Sequence, residues 1–186
     1  MMRVIAGDLK GRRLYSVAGK QTRPTSDKVK EAVFQMIGPF FTGGDGLDLF
    51  AGSGALGIEA ISRGLDHVVF IDKHFPAIKT IKRNLETLKI LDRADVHKMD
   101  AYQAIRMFRQ RQEQFQFIFI DPPYKQVHYE TIIEQIIKND ILETHGIIYC
   151  EHDHTKDIQS FPDQLQCIKQ AVYGKTTAIS IFQKQR

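Results

Sequence analysis

The stretch that decides the fold is Leu47-Asp48-Leu49-Phe50-Ala51-Gly52-Ser53-Gly54-Ala55-Leu56-Gly57. It runs from a strand-like apolar segment, through a glycine-rich turn, into a helix-forming segment. Glycines allow the backbone to turn tightly and to approach a ligand closely. Asp72 lies twenty positions after Gly52, at the end of the next predicted strand. A carboxylate at that place can accept both hydroxyls of a ribose, so the pattern predicts a nucleotide-type cofactor site.

From Gly44 onward, strand-like and helix-like segments alternate, which predicts a doubly wound α/β sheet with a parallel centre. The run of apolar residues at 115–120 predicts a strand buried on both faces. The predicted strands are 47–50, 67–72, a short one near Val96, 115–120 and 147–151, and the predicted helices are 55–63, one from about 75, 101–110 and 129–138. We expect an antiparallel hairpin at each end, 3–6 with 12–15 and 166–173 with 176–182, and a first helix capped by Thr25 or Ser26.

Composition and charge add an expectation about the partner. The chain has 186 residues, 42% hydrophobic and 26% charged, which suits one soluble globular domain. Its apolar runs are strand-sized, and no signal-like N-terminus or paired cysteine motif is present, so we expect a cytoplasmic protein. Residues 1–30 hold eight basic and two acidic residues, whereas the other 156 hold 18 basic and 20 acidic residues. This cluster favours a polyanion such as nucleic acid, although a solvated basic surface is the alternative.

The glycine turn alone suits NAD as well as S-adenosylmethionine. Asp48 favours the second cofactor, because a carboxylate there could meet an ammonium group directly or through water, whereas it would repel a pyrophosphate. Asp100 follows the third predicted strand and therefore faces the same sheet edge as Asp48 and Asp72. Its carboxylate could accept the adenine amino group, or it could cap the helix that follows, and both roles can coexist.

A second motif, Asp121-Pro122-Pro123-Tyr124, follows the buried strand at 115–120. The prolines fix the backbone and remove two N–H donors, which leaves the Asp121 carboxylate and the Pro122 carbonyl as acceptors. Two acceptors suit the two protons of an exocyclic amino group, and Tyr124 can stack on the base. A rigid loop with an aspartate cap is the alternative interpretation.

Together, residues 48–57 and 121–124 resemble the class I S-adenosylmethionine-dependent methyltransferases that modify exocyclic amino groups. Three N-terminal segments are similar to the bacterial 16S rRNA guanine-N2 methyltransferases of the RsmD type: Arg3-Val4-Ile5-Ala6-Gly7, Gly11-Arg12-Arg13-Leu14 and Arg23-Pro24-Thr25-Ser26-Asp27-Lys28-Val29-Lys30-Glu31. The resemblance covers nearly the whole chain. Many amino-methyltransferases have Asn at the first position of the catalytic turn, and Asp121 matches the variant associated with this rRNA family.

The resemblance implies a Rossmann-like fold with a mostly parallel seven-stranded sheet and a C-terminal antiparallel hairpin. It also implies a basic N-terminal extension at 1–25 that docks RNA and a methyltransferase domain at 26–186. The implied chemistry is methyl transfer from S-adenosylmethionine to a guanine N2 amine of 16S rRNA in the small ribosomal subunit or an assembly intermediate. The product would be S-adenosylhomocysteine, with no metal, membrane or obligate protein partner. Adenine-N6 methylation, an NAD-dependent oxidoreductase and a non-catalytic RNA-binding assembly factor are the alternatives.

The residues implied by the resemblance form three groups. Those expected to orient the base are Asp121, Pro122 and Tyr124; those expected around the cofactor are Asp48, Phe50, Ala51, Gly52, Ser53, Gly54, Asp72, Lys73, Asp100 and Ala101; and those expected to contact RNA are Arg3, Lys10, Arg12, Arg13, Arg23 and Thr25. Arg23, Pro24 and Thr25 would close over the site.

Three further features receive simpler interpretations. Residues 151–154, Glu-His-Asp-His, offer metal ligands, but methyl transfer needs no metal and we expect none there. Cys150 and Cys167 are expected to be small buried apolar groups. The basic run Lys79, Lys82, Arg83 and Lys89 is expected to be a solvated helix face, with contact to RNA as the alternative.

Overall fold

The computed structural model describes residues 2–18, 27–123, 128–155, 158, 162–173 and 176–186. The strands are β1 (Met2–Arg3), β2 (Arg13–Leu14), β3 (Asp45–Asp48), β4 (His67–Asp72), β5 (Ala94–Lys98), β6 (Phe115–Ile120), β7 (Leu142–Asp153), β8 (Leu165–Tyr173) and β9 (Thr177–Lys184). The helices are α1 (Asp27–Ile37), α2 (Ala55–Ser62), α3 (Phe75–Leu88), α4 (Ala101–Arg111) and α5 (Tyr129–Lys138), with a 3₁₀ turn at Leu91–Arg93. The predicted cap of α1 at Thr25 or Ser26 lies outside the described residues.

Seven strands form one sheet in the order β5-β4-β3-β6-β7-β9-β8. The first five are parallel, and β9 and β8 add an antiparallel hairpin at one edge. The predicted mostly parallel sheet with a C-terminal hairpin is confirmed. From β3 the chain builds outward through β4 and β5, then crosses to β6 on the other side of β3. The order therefore reverses between β3 and β6, which is where ligands bind in open α/β sheets.

Helices cover both faces of the sheet. On one face α1, α2 and α3 pack over a core that includes Phe34, Ile61 and Phe119. On the other face α4 and α5 contribute Ile105 and Ile133 to a second core, which also contains side chains from β6. Strand β6 contributes side chains to both cores, because successive residues of a strand point to opposite faces. The prediction that this strand is buried on both sides is confirmed.

Helix α2 is buried at seven of its eight positions, from Leu56 to Ser62, because a second layer covers it. That layer is the N-terminal segment, whose strands β1 and β2 pair as the predicted hairpin. Its backbone N–H groups at Ile5 and Ala6 donate to the Glu59 carboxylate at 2.8 and 3.0 Å. The backbone N–H of Leu9 donates to the Ser62 hydroxyl at 2.9 Å. The segment is thus bonded to the helix that follows the glycine turn.

Two other expectations differ in detail. Strand β7 begins at Leu142 rather than at 147, because Leu142 pairs with Phe115 across an irregularity in the register. Cys150 is buried as expected, but Cys167 is exposed, so that part of the prediction was wrong. Cys167 lies on β8, which forms one edge of the sheet and is mostly exposed. Within the described residues, no helix combines the length and apolar character needed to cross a bilayer.

Candidate active site

The glycine turn leaves β3, rises above the carboxyl edge of the sheet and enters α2. Gly52 and Gly54 have φ values of 56° and 83°, in the left-handed region that favours glycine. A Cβ at Gly52 would meet no atom within 4 Å, so the space beside this residue is open. A Cβ at Gly57 would lie 2.4 Å from the Phe70 ring. The first two glycines therefore shape the turn, and Gly57 allows α2 to pack closely on β4.

Asp72 at the end of β4 fixes this turn. One carboxylate oxygen accepts the Gly52 N–H at 2.9 Å and the other accepts the His74 N–H at 2.8 Å. Each oxygen retains a second acceptor position, which a ribose hydroxyl could use. The neighbouring Lys73 is exposed. Asp72 thus occupies the place that the spacing predicted, and it also organises the turn, a role that sequence reasoning had not assigned.

Asp48 lies beneath the turn, at the last position of β3, and is almost fully buried. One of its oxygens accepts the Gly57 N–H at 3.2 Å. The other is buried and has no hydrogen-bond partner among the described residues. Burial raises the pKa of this carboxyl to about 7, while the Gly57 N–H opposes the rise. A buried acceptor with unused capacity at the switch point fits a cationic ligand group, reached directly or through a water.

Asp100 caps helix α4. Its carboxylate accepts the Gln103 N–H at 3.0 Å, and the Gln103 side chain accepts the Asp100 N–H at 3.4 Å, which is a capping box. The expected capping role is confirmed. The Met99 N–H donates to the Asp72 carbonyl at 3.2 Å, so the ends of β4 and β5 lie side by side. Asp100 and the buried Ala101 therefore stand at the same sheet edge as Asp72.

Asp121 follows the last residue of β6, next to β3, and is half-buried. Burial raises the pKa of this carboxyl well above its ordinary range, and the nearby carboxylates of Glu151 and Asp48 raise it further. Pro122 is buried and Pro123 is exposed. The structure therefore brings Asp121 and Asp48 together at the point where the strand order reverses. Tyr124, like Arg23, Pro24 and Thr25, lies outside the described residues.

Glu151 is a residue of this site that sequence reasoning had considered only as a metal ligand. It is buried on β7, and the Tyr149 hydroxyl donates to its carboxylate at 3.0 Å. Ile120 pairs with Cys150, so Asp121 and Glu151 occupy the next positions along the two strands and point to the same face. The signal available in the sequence was that each of these acids directly follows an apolar run, which predicts a position near the end of a buried strand. No group of three acidic, histidine or cysteine side chains arranged to hold a metal occurs within the described ranges.

Asn84 on α3 joins the N-terminal segment to the glycine turn. Its side-chain N–H group donates to the Ser53 carbonyl at 2.9 Å and to the Tyr15 carbonyl at 3.1 Å. Its side-chain oxygen accepts the Tyr15 N–H at 2.8 Å. An asparagine in a helix is usually expected at the surface. The one sequence feature that indicates burial of Asn84 is its position on the apolar face of α3.

The basic residues expected to contact RNA lie on the outer side of the N-terminal segment. Arg3, Lys10, Arg12 and Arg13 are all exposed. Arg3 pairs with Asp27 at 2.9 Å, so part of its charge is compensated. Arg12 donates to the Thr87 carbonyl of α3 at 3.2 Å. The described basic residues thus form an open surface above α2 and α3.

Comparisons with known proteins agree with this architecture. The family model described as "Conserved hypothetical protein 95" matches residues 2–182. The YlbH protein of Bacillus subtilis is 47% identical over 184 residues, which are 99% of this chain and 100% of that protein. Ribosomal RNA small subunit methyltransferase D of Haemophilus influenzae is 34% identical over 174 residues, with 93% and 89% of the two chains covered. The solved structure of the yhhF protein from Escherichia coli superposes with a TM-score of 0.86 at 28% identity, covering 99% of this chain and 98% of that one.

These matches confirm the resemblance that the sequence motifs indicated, and they extend over the N-terminal segment as well as the sheet. The chain therefore belongs to the conserved hypothetical protein 95 family, the family of the ribosomal RNA small subunit methyltransferase D proteins.

Proposed function

We propose that this protein transfers a methyl group from S-adenosylmethionine to the exocyclic N2 amine of a guanine in 16S rRNA. The observation that carries the proposal is that Asp48, Asp72 and Asp121 stand at the carboxyl ends of three adjacent strands, β3, β4 and β6, with Asp48 and Asp121 beside the switch point of the sheet. The names of the relatives in Haemophilus influenzae and Escherichia coli support a small-subunit rRNA substrate. The Asp121-Pro122-Pro123-Tyr124 turn supports an amino group as the methyl acceptor.

The residues at the sheet edge fit the proposed cofactor. Open space beside Gly52 admits a ligand, Asp72 has acceptor capacity for ribose hydroxyls, and Asp48 has an unpartnered oxygen for the amino-acid ammonium. Asp100 and Ala101 would hold the adenine. The remaining residues proposed around the cofactor are Phe50, Ala51, Ser53, Gly54 and Lys73. When bound, S-adenosylmethionine would supply an electrophilic methyl group on its sulfonium, and S-adenosylhomocysteine would be the product once that methyl is transferred.

Asp121 and the Pro122 carbonyl orient the guanine amine for in-line attack, and Tyr124 stacks on the base plane. The neighbouring carboxylates that raise the pKa of Asp121 favour a cation at this place. A positive charge beside Asp121 lowers the pKa of its carboxyl again and favours the ionised form, so that the carboxylate accepts from the amine and stabilises the charge that develops on nitrogen. The proton of the methylated amine leaves to solvent or to Asp121. The guanine must be unpaired or flipped out to reach this site.

The basic N-terminal segment, residues 1–25, would dock the RNA, and residues 26–186 would form the catalytic domain. Arg3, Lys10, Arg12 and Arg13 are available for phosphate contacts because they are exposed; we include Arg23 and Thr25 in the same role. The partner would be 16S rRNA in the small subunit or an assembly intermediate, in the cytoplasm. No metal and no obligate protein partner are required.

The experiment compares methyl transfer by the wild type, Asp121→Ala and the control Asp92→Ala. Asp92 is an exposed acid in the 3₁₀ turn, away from the site. Labelled S-adenosylmethionine is supplied with small subunits from cells that lack this gene. We expect transfer by the wild type and the control, and none by Asp121→Ala, whose cofactor affinity should stay within about tenfold. Near-normal turnover by Asp121→Ala would remove its catalytic role, and calorimetric binding of NAD(H) instead of S-adenosylmethionine would favour an oxidoreductase.

A further inference from the structure

The exposed face of α3 forms a groove outside the site described above. Phe75, at the first position of the helix, is 65% exposed, which is unusual for a large aromatic side chain. Lys79, Lys82 and Arg83 follow it along the helix surface and are also exposed. These four residues, with Ile78 and Glu86, line a groove of about 450 Å³.

A second groove continues this surface onto the N-terminal segment. It has a volume of about 600 Å³ and is lined by residues 11–15 together with Thr87 of α3. The Arg83 guanidinium lies 3.6 Å from the centre of the Tyr15 ring, and Arg12 donates to the Thr87 carbonyl at 3.2 Å. These contacts fix the two grooves side by side, so they form one surface across α3 and the hairpin.

The charge of this surface is strongly asymmetric. Its lining residues include five bases, Arg12, Arg13, Lys79, Lys82 and Arg83, and one acid, Glu86. The protein as a whole has a net charge of only +4. Such a concentration of positive charge suits a polyanion, because each phosphate contact releases counterions. One end of this surface lies near the candidate active site, because Phe75 is three positions after Asp72 at the sheet edge.

We propose that this α3 surface is the track along which a single-stranded segment of the RNA reaches the active site. Lys79, Lys82 and Arg83 contact its phosphates, and Phe75 stacks on an unpaired base. Exposed aromatic side chains among Lys and Arg residues are typical of proteins that bind single-stranded nucleic acid, because unpaired nucleobases offer a free π-face for stacking. A regular duplex would present phosphates but no base faces. The inference rests on the proposed function, and it extends the RNA contacts beyond the N-terminal segment.

The test uses two α3 variants and a matched control in the full-length protein. Lys79→Glu/Lys82→Glu reverses two charges of the groove, and Phe75→Ala removes the aromatic ring. The control, Arg106→Glu/Arg109→Glu, makes the same charge change on exposed positions of α4, which covers the opposite face of the sheet. Affinity is measured at several salt concentrations for a short single-stranded RNA and for a duplex of the same sequence. The affinity for S-adenosylmethionine is measured in parallel.

We expect the α3 charge variant to bind the single strand at least about tenfold more weakly than the control, with a salt slope smaller by about 0.7 for each lost contact. Phe75→Ala should lose about fivefold or more for the single strand and much less for the duplex. Both variants should keep the cofactor affinity of the wild type. Equal RNA affinity for the α3 and control variants would overturn the proposal. A loss confined to cofactor affinity in Phe75→Ala would also overturn it, because Phe75 would then belong to the cofactor pocket.

The two levels of the proposal can fail separately. If the wild type binds single-stranded RNA through α3 but methylates no rRNA, the track stands and the proposed function fails. If the wild type methylates rRNA and the α3 variants do so with unchanged RNA affinity, the proposed function stands and the track fails.

Discussion

Cofactor binding should depend on pH because of the buried Asp48 carboxyl. Burial raises its pKa to about 7, against an ordinary value of 3.8. A neutral Asp48 offers no charge to the ammonium group of S-adenosylmethionine, so binding must select or create the ionised form. We therefore expect the affinity to increase as the pH rises through this range, and binding at lower pH to release a proton.

The size of the effect follows from the ionised fraction. With a pKa of about 7, Asp48 is about 3% ionised at pH 5.5 and about 76% ionised at pH 7.5. The affinity should therefore increase about 25-fold between these values, or about 1.9 kcal/mol. Above about pH 8 the ammonium itself loses its proton, and the rise should end.

The assay is isothermal titration calorimetry at constant ionic strength over this pH range. Asp48→Asn should bind S-adenosylmethionine weakly and with little pH dependence. The control ligand is 5′-methylthioadenosine, which lacks the amino-acid group and should show no Asp48-dependent slope with either protein. A change of less than about twofold in the wild type, or a full slope retained by Asp48→Asn, would refute the reasoning.

Three further predictions concern stability and positioning. Because the folded pKa of Asp48, about 7, lies above its ordinary value of 3.8, the contribution of Asp48 to the free energy of unfolding is fully present below about pH 4 and is lost as the pH rises through 7. Relative to Asp48→Asn, the wild type should therefore lose about 4 kcal/mol over this range in denaturant titrations, and equal pH dependence of the two proteins would contradict it. Gly57→Ala should lower the free energy of unfolding by about 1–3 kcal/mol, because its Cβ would lie 2.4 Å from the buried Phe70 ring, and an unchanged midpoint would count against this packing. Asn84→Ala should cost about 1–3 kcal/mol and also weaken cofactor binding, since it frees the Ser53 carbonyl; calorimetry that shows full affinity would separate Asn84 from the turn.

The parts of the fold predicted well from sequence are those with strong local signals. Strands β4 and β6 and helix α5 have the predicted bounds. Each combines an apolar run or helical spacing with clear flanking residues. The glycine turn and its Asp72 were also predictable, because the spacing places both at the same sheet edge.

Contacts between distant segments could not be read from local patterns. Glu59 accepts two backbone N–H groups from residues 5 and 6 and pairs with Lys30 and Arg63 at 3.5 and 2.8 Å. In sequence it looks like a solvated helical glutamate, because nothing local shows that the N-terminal segment covers α2. Burial lowers the pKa of Lys30, a second sign that this cluster lies in the interior.

The extra length of β7 and the position of Glu151 in the candidate site also depend on contacts between distant segments, so local patterns did not predict them. Residues 143–146 are polar or glycine and give no strand signal, yet β7 runs through them. They lie in the irregularity between the Leu142–Phe115 and Ile147–Phe117 pairs with β6, and the pairing with β9 begins at Ile147. Strand pairing in a sheet depends on residues far apart in the chain, so the hydrophobic pattern indicates the buried part of a strand better than its ends.

The central claim is that a guanine amine is the methyl acceptor, and identification of the modified nucleoside tests it most directly. Small subunits from cells lacking this gene are treated with the protein and isotopically labelled S-adenosylmethionine, and the 16S rRNA is digested to nucleosides for mass spectrometry. The account predicts the label in N2-methylguanosine. Label in N6-methyladenosine, or none in RNA despite bound cofactor, would contradict it.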